Sequence, residues 1–217
     1  KVVDALRLAV VSPAAAAVSA AVQVQETADA ANGGNAAQLQ FLGSAGDRDR
    51  AIDCLAVAAW YEAGTDIDHQ RSVMQVVLNR VAHPSFPKSV CGVVFEGSHR
   101  TTGCQFTFTC DGSMVRRRPS PAAMARARAV AALALKITIH PDVAQATHYH
   151  ADYVMPWWAS KLVRLGKVGP HIFYRWAGAR GALAGRPSSA GEADLAQLSF
   201  HAISRDSSLS APGVLLP

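Results

Sequence analysis

Apolar residues recur at helical spacing in three stretches of the chain. In the first, over residues 47–63, Leu55, Val57 and Trp60 stand among many alanines. Gly64 follows this stretch, and glycine commonly ends a helix because it adopts the left-handed conformation without steric cost. The pattern predicts a helix from about Asp47 to Ala63.

A second helix is predicted after Asp66 and Asp68, either of which can accept a hydrogen bond from the first free backbone N–H groups. Three valines then share one apolar face at helical spacing: Val73, Val77 and Val81. Asn79 and Arg80 close this helix. For both we expect a structural role at the surface, where polar side chains usually lie.

The third and best-signalled helix is predicted over Ser120–Ile137. Ser120 suits the N-cap and Pro121 the first helical position, where the missing N–H costs nothing. Alanines then recur with larger apolar residues. We expect a central core helix with Arg126 and Arg128 facing water.

Shorter elements are predicted between and after these helices. Pro87 is expected to open a short helix that runs through Phe95. Residues 104–110 alternate polar and apolar, which is typical of a strand or hairpin arm. A short helix is expected to end at Gly166, and residues 168–176 are expected to be extended.

The two ends of the chain have little periodicity. Residues 1–21 carry early positive charges, an Ala/Val run and small residues, which fits a bacterial signal peptide or an Ala-rich helix or tether. With the linker that follows, 1–46 is predicted to be a leader, and 47–177 the folded domain. The Gly/Ala/Pro/Ser-rich tail, 178–217, is expected to be flexible or loosely docked.

Composition narrows the class of protein. The 217 residues suit one domain with extensions, and half of them are hydrophobic. The net charge of +5 favours a polyanionic partner such as nucleic acid, anionic lipid or the bacterial wall. Arg116, Arg117 and Arg118 lack interleaved aromatic residues, so they indicate a solvated face and not a nucleic-acid site.

The four cysteines are Cys54, Cys91, Cys104 and Cys110. Without a CxxC pair they argue against zinc, while two disulfides or four reduced thiols both fit the count. A straight strand over 104–110 would separate its ends by roughly 20 Å, so a bond between Cys104 and Cys110 requires a turn. We favour that pair, leaving Cys54 with Cys91, and an oxidising compartment such as a periplasm.

Glu62 is the strongest candidate for chemistry. It lies in the last turn of the first predicted helix, between Trp60, Tyr61 and Ala63. The negative end of the helix dipole and the apolar neighbours both disfavour a carboxylate, so both raise its pKa. A carboxyl that stays protonated near neutral pH can act as a general acid on a glycosidic oxygen. A surface glutamate at a helix end is the alternative.

Several ordered blocks of the sequence resemble the SleB/CwlJ-type cell wall hydrolases. The blocks are YEAG, RSVMQVVLNRV, FPKSVCGVVF, CQFTFTCDG, ATHYHADYVMPWW and VGPHIFYR. The resemblance implies a lysozyme-like α+β fold, mainly helical, with a small hairpin or sheet beside the cleft. It also implies cleavage of peptidoglycan, commonly by lytic transglycosylation, with Glu62 as the catalytic glutamate. Asp66 stands where the family usually has a second acid, Glu.

Seven residues are candidates for substrate binding. By the resemblance, a QFS-type segment lies beside the cleft, and aromatic rings suit the apolar faces of sugars. The candidates are Gln105, Phe106, Thr107, Tyr149, His150, Trp157 and Tyr174. A buried hairpin and a core aromatic cluster are the alternatives. The histidines match no zinc motif, so neither a metal nor another cofactor is expected.

The expected reaction is cleavage between N-acetylmuramic acid and N-acetylglucosamine that leaves 1,6-anhydro ends. No second carboxylate lies in a setting as apolar as that of Glu62, which favours transglycosylation over hydrolysis. The alternatives are a lysozyme-type muramidase and a non-catalytic peptidoglycan-binding module. We expect a monomer, exported to the periplasm or wall, that acts on glycan strands and has no membrane span when mature.

Overall fold

The computed structural model describes residues 40–100, 103–136, 140–143, 145–183, 188–189 and 191–193. The predicted leader up to residue 39 and the tail beyond residue 193 lie outside these residues. The helices are α1 (Ala45–Ala63), α2 (Ile67–Ala82), α3 (Val90–Val94), α4 (Ser113–Arg116) and α5 (Pro121–Ala134). The strands are β1 (Gln40–Phe41), β2 (His148–Ala151), β3 (Val163–Val168), β4 (His171–Arg175) and β5 (Ser188–Ser189). The predicted α+β class, mainly helical, is confirmed.

Helix α1 is fixed at both ends by local hydrogen bonds. The hydroxyl of Ser44 accepts from the N–H of Asp47 at 3.1 Å, and the carboxylate of Asp47 accepts from the N–H of Ser44 at 2.9 Å. This reciprocal pair satisfies two N–H groups that a helix start leaves free. Gly64 ends the helix with φ at +60°, as predicted. The chain reverses there and leaves Glu62 in the last turn.

Helix α2 is the central helix, and it packs against α1, α3 and α5. Asp66 caps its start by accepting from the N–H of His69 at 3.0 Å. Asn79 and Arg80 are only 1% and 4% exposed, so the surface position expected for them is wrong. Asn79 instead donates to the carbonyl oxygens of Ala146 at 2.8 Å and Val143 at 3.3 Å. It thereby ties α2 to the segment before β2.

Helix α5 has the predicted start, with Ser120 as N-cap and Pro121 in the first turn, but it ends at Ala134. Its buried face is mostly alanine, which lets it approach α1 and α2 closely, while its other side is exposed. It is therefore not the central helix. Arg126 is exposed as expected, whereas Arg128 forms an ion pair with Asp53 of α1.

Strands β2, β4 and β3 form an antiparallel sheet in that order. Tyr149 pairs with Phe173 across β2 and β4. Gly166 lies within β3, beside an irregularity between Arg164 and Gly166, so the short helix expected to end there is wrong. The glycine is a strand residue because β4 supplies the pairing that the sequence pattern alone does not reveal. Of the extended segment predicted over 168–176, the part over 171–175 is confirmed as β4, whereas Val168 ends β3 and Gly169 and Pro170 form the turn between the two strands.

Residues 104–110 do not form the predicted strand. A disulfide joins Cys104 to Cys110 with their Cα atoms 6.4 Å apart, so the segment turns and contains one 3-10 turn, Thr107–Thr109. Phe106 and Phe108 are nevertheless buried while Thr107 is exposed. The second disulfide joins Cys54 of α1 to Cys91 of α3. The predicted cysteine pairing is confirmed.

Helix α3 begins at Val90, capped by Ser89, and not at Pro87. Its first free N–H groups are satisfied by Glu192, whose carboxylate accepts from Val90 and Cys91 at 2.8 Å each. Glu192 is 5% exposed, so at this residue the expectation of a loosely docked tail is wrong. A helix start offers free donors and a favourable dipole, which explains why an acidic side chain docks there.

Candidate active site

Glu62 and Tyr149 meet where the end of α1 faces the sheet. The Tyr149 hydroxyl donates to Oε2 of Glu62 at 3.0 Å, and both side chains are partly buried. Burial raises the pKa of Glu62, and the hydrogen bond from Tyr149 lowers it in part; the balance lies above the ordinary value of 4.5. This is the direction predicted from the sequence. The carboxyl therefore holds its proton to higher pH than a free glutamate does.

Three charged side chains also act on Glu62. The positive charges of Arg80 and Arg117 lower the pKa of Glu62, and the negative charge of Asp111 raises it. Arg117 is held in place because its Nη2 donates to the Tyr61 carbonyl at 2.9 Å while the Tyr61 hydroxyl donates to the Arg117 carbonyl at 2.6 Å. This pair of hydrogen bonds fastens the end of α1 to the loop after α4.

Aromatic and imidazole rings support Tyr149 from behind. Its ring centroid lies 4.6 Å from that of His171 and 5.6 Å from that of Phe173. His171 Nδ1 lies 2.8 Å from His69 Nε2, so one ring donates and the other accepts. Burial lowers the pKa of both histidines, that of His171 to about 4. His171 is thus neutral near pH 7, so one of its nitrogens can accept, whereas the hydrogen bond itself requires only that the accepting nitrogen carry no proton.

His150 and Tyr174 lie on the other face of the sheet. Successive strand residues point to opposite faces, and these two follow Tyr149 and Phe173 directly. His150 Nε2 and the Tyr174 hydroxyl are 2.9 Å apart, and both rings contact Trp158. Both side chains are more than 90% buried. The structure therefore does not bring these two predicted binding residues beside Glu62.

The other predicted binding residues are differently placed. Phe106 is 2% exposed and its ring centroid lies 6.5 Å from that of Tyr149, so it forms part of the wall behind the site. Gln105 is partly buried and Thr107 is exposed. Trp157 is 76% exposed, with Lys161 Nζ 4.6 Å from its ring centroid. Among the seven candidates, Tyr149 contacts Glu62 directly.

The effect of Arg80 on the pKa of Glu62 was not predicted, because Arg80 was expected at the surface. The signal was present in the run VMQVVL, which precedes Asn79 and Arg80 and is apolar on nearly every side. A helix that is apolar all round is buried all round, so its polar residues are buried as well. Within the described residues, no three His, Cys, Asp or Glu side chains are grouped to hold a metal ion.

The chain belongs to the cell wall hydrolase family, whose sequence model matches residues 64–174. It is therefore a member of a class of enzymes that act on peptidoglycan. The matched region begins just after Glu62, so the role of that residue depends on the geometry around it.

Two solved structures are similar to the chain. One is the catalytic domain of the Bacillus cereus SleB protein, with 26% identity and a TM-score of 0.45, covering 66% of this chain and all of that one. The other is the catalytic domain of the germination-specific lytic transglycosylase SleB from Bacillus anthracis, with 25% identity and a TM-score of 0.44, covering 62% of this chain and 98% of that one. No match was found among curated protein sequences. No helix in the described segments is long and apolar enough to cross a membrane.

Proposed function

We propose that the protein cleaves peptidoglycan glycan strands between N-acetylmuramic acid and N-acetylglucosamine by lytic transglycosylation. Glu62 acts first as the general acid and then as the base. The observation that carries this proposal is the partly buried Glu62 carboxyl, with its raised pKa and its hydrogen bond from Tyr149. Burial favours the protonated acid, and the hydroxyl is ready to stabilise the carboxylate that proton transfer leaves.

The reaction needs two proton transfers through the same carboxyl group. In the first, Glu62 gives its proton to the glycosidic oxygen as the bond from that oxygen to C1 of the muramyl residue breaks. In the second, the Glu62 carboxylate takes the proton of the muramyl 6-hydroxyl as O6 bonds to C1. The products are a free 4-hydroxyl on glucosamine and a 1,6-anhydro muramyl end, and Glu62 is protonated again.

Transglycosylation is favoured over hydrolysis because other acids near the site have structural partners. Asp66 caps α2, and Asp111 accepts from the N–H of Ser113 at 2.7 Å. Asp152 forms an ion pair with Lys167 at 2.6 Å. A hydrolase of the lysozyme type uses a second carboxylate for water or for a covalent intermediate. An internal 6-hydroxyl needs no positioned water, because its effective concentration is high.

The two disulfides fit an oxidising compartment outside the cytoplasm. We place the enzyme in the periplasm or cell wall of a bacterium, where its substrate is, and we propose that it acts as a monomer. Its basic charge favours the acidic groups of the wall.

Digestion of purified sacculi tests the proposal. Wild type should clear the suspension and give 1,6-anhydro muramyl ends by mass spectrometry. Glu62→Gln should be folded by circular dichroism but inactive, and the exposed Asp142→Asn serves as the matched control. Reducing muramyl ends would instead identify a muramidase. Binding without clearing, equal in wild type and Glu62→Gln, would identify a non-catalytic binding module.

A further inference from the structure

Arg80 is a buried cation in the last turn of α2. Its side chain is 4% exposed, and its Nε donates to the carbonyl oxygen of Thr147 at 2.7 Å. Its Cζ lies 5.4 Å from the ring centroid of Phe86 and 5.5 Å from that of Phe106. Two rings and one carbonyl therefore fix the guanidinium in position, which is an arrangement that arginine favours.

One part of this guanidinium has no hydrogen-bond partner. Nη1 is buried and bonds to no atom in the described part of the chain. A buried donor left without a partner costs stability, and apolar residues often replace a buried charge without loss. A single hydrogen bond to Thr147 does not require the five donors of a guanidinium. The helix dipole and the charge of Glu96 favour a cation here, and the carboxylate of Glu62 acts on the Arg80 guanidinium more strongly than Glu96 does.

The contacts of Arg80 lead to the active site in two ways. Thr147, which accepts its hydrogen bond, comes two residues before Tyr149 at the start of β2. Phe106, which lies against the guanidinium, also neighbours the Tyr149 ring at 6.5 Å. Arg80 is thus anchored to the residue that precedes β2 and to Phe106, which neighbours Tyr149, the donor to Glu62.

We infer that Arg80 is a positioning residue for the reaction, a fixed buried positive charge that stabilises Glu62 in its ionised form between the two proton transfers. This inference depends on the proposed function, because only a carboxyl that serves as both acid and base must be stable in both states. Burial favours the acid form and hinders the base form. Arg80 offsets that penalty without contacting the substrate.

The other groups that face Glu62 do not duplicate this effect. Tyr149 on β2 contributes a hydrogen bond from a neutral group. Asp111 contributes a negative charge, which raises the pKa of Glu62 where Arg80 lowers it. Arg117 contributes a positive charge but is exposed, so solvent and salt screen it. Arg80 is the buried cation among the described groups that act on Glu62, and its charge is screened least.

The test is the pH dependence of cleavage of soluble glycan strands by wild type, Arg80→Lys, Arg80→Gln and Arg80→Met. Wild-type activity should fall as the pH rises through the pKa of Glu62, since the general acid is then lost. Without the positive charge that pKa rises further, so the fall should move to higher pH in Arg80→Gln and Arg80→Met. The maximum rate of both uncharged variants should also drop about 10-fold, which is part of the roughly 100- to 10,000-fold that general acid–base catalysis contributes. Arg80→Lys should keep the fall near its wild-type pH.

The glutamine variant keeps a donor for Thr147, so the test stands even if Arg80→Met does not fold. A fall at the wild-type pH in both uncharged variants would overturn the inference, even if their rates were low. A shift in Arg80→Lys as large as in Arg80→Met would also overturn it, because charge would then not be the cause. Activity in Glu62→Gln would instead refute the proposed function itself, so the two failures are distinguishable.

Discussion

The hydroxyl of Tyr149 donates to Oε2 of Glu62 at 3.0 Å, across 87 positions of sequence. The bond joins the last turn of α1 to β2, an edge strand of the sheet, on which Tyr149 pairs with Phe173 of β4. It depends on Gly64, which ends α1 before the chain turns away, and on the alternation of β2, which points Tyr149 to the face opposite His150. The fold thus assembles the candidate site from the helical and the strand halves of the domain.

Replacing Tyr149 with phenylalanine removes the donor and keeps the ring. Because the hydrogen bond lowers the pKa of Glu62, its loss should raise that pKa and move the alkaline fall of activity to higher pH. A hydrogen bond to a charged group contributes about 1.5–3 kcal/mol, so the rate should fall roughly 10- to 100-fold. Tyr153→Phe is the matched control, since that side chain is 84% exposed. An unchanged pH profile in Tyr149→Phe would contradict this role.

The pH dependence of stability should report His148, a partly buried histidine on the face of the sheet opposite Tyr149. Burial, with the charges of Arg80, His83 and Arg180, lowers the pKa of His148 from 6.5 to about 4. Between these values the unfolded chain binds a proton that the folded chain does not. The free energy of unfolding should therefore decrease as the pH falls from 6.5 to about 4.

His148→Phe tests this origin. The neighbouring rings of Trp158 and Trp176 suit a phenylalanine, so the fold should persist. Urea unfolding at pH 7 and pH 4.5 should show a smaller loss of stability in the variant than in wild type, with the share from His171 remaining. His99→Phe, at an exposed position, should lose as much as wild type. The same loss in all three proteins would show that His148 titrates normally.

Local signals in the sequence predicted α1, α2 and α5 because each begins at a side chain that caps it, and α1 also ends at a glycine. Ser120 and Pro121 mark a helix start by chemistry that needs no distant partner. The wrong predictions of secondary structure fall where a residue distant in sequence determines the local conformation. Gly166 fits the sequence pattern of a helix stop, but pairing with β4 makes it a strand residue. Residues 104–110 fit the alternation of a strand, but the disulfide between Cys104 and Cys110 requires a turn.

The candidate site was likewise predictable only where local sequence carries the signal. Glu62 stood out because one carboxyl in an apolar run is unusual, and Tyr149 because it lies in an aromatic block. Composition does not give strand phase, so His150 and Tyr174 were grouped with Tyr149 although they lie on the opposite face. Arg80 was expected at the surface although an apolar run precedes it, because its partners Phe106 and Thr147 are distant in sequence.

The two disulfides should differ in their effects on stability and on activity. In the chain-entropy account, the bond between Cys54 and Cys91, 37 residues apart, contributes about 4 kcal/mol, and that between Cys104 and Cys110, 6 apart, about 2 kcal/mol. The shorter loop, however, contains Phe106, which stands against Tyr149. Loss of the first bond should therefore cost more stability, and loss of the second more activity.

Paired alanine substitutions at each bond allow the comparison. Urea unfolding should rank the Cys54/Cys91 variant as the less stable. Clearing of sacculi, measured at a temperature where both variants are folded, should rank the Cys104/Cys110 variant as the less active. The opposite ranking in the activity assay would show that the turn does not position the site.

Trp157 should contribute to wall binding and not to stability. Its side chain is 76% exposed, so little packing is lost in Trp157→Ala, and the melting temperature should not change. A ring that stacks on sugar faces contributes about 1 kcal/mol, which corresponds to roughly 5-fold weaker binding on removal. Pelleting with sacculi measures the binding, and the inactive Glu62→Gln background prevents digestion during the assay. Met155→Ala is the matched control, since Met155 is 81% exposed and not aromatic. Equal weakening in both variants would mean that general apolar contact, and not ring stacking, holds the loop to the wall.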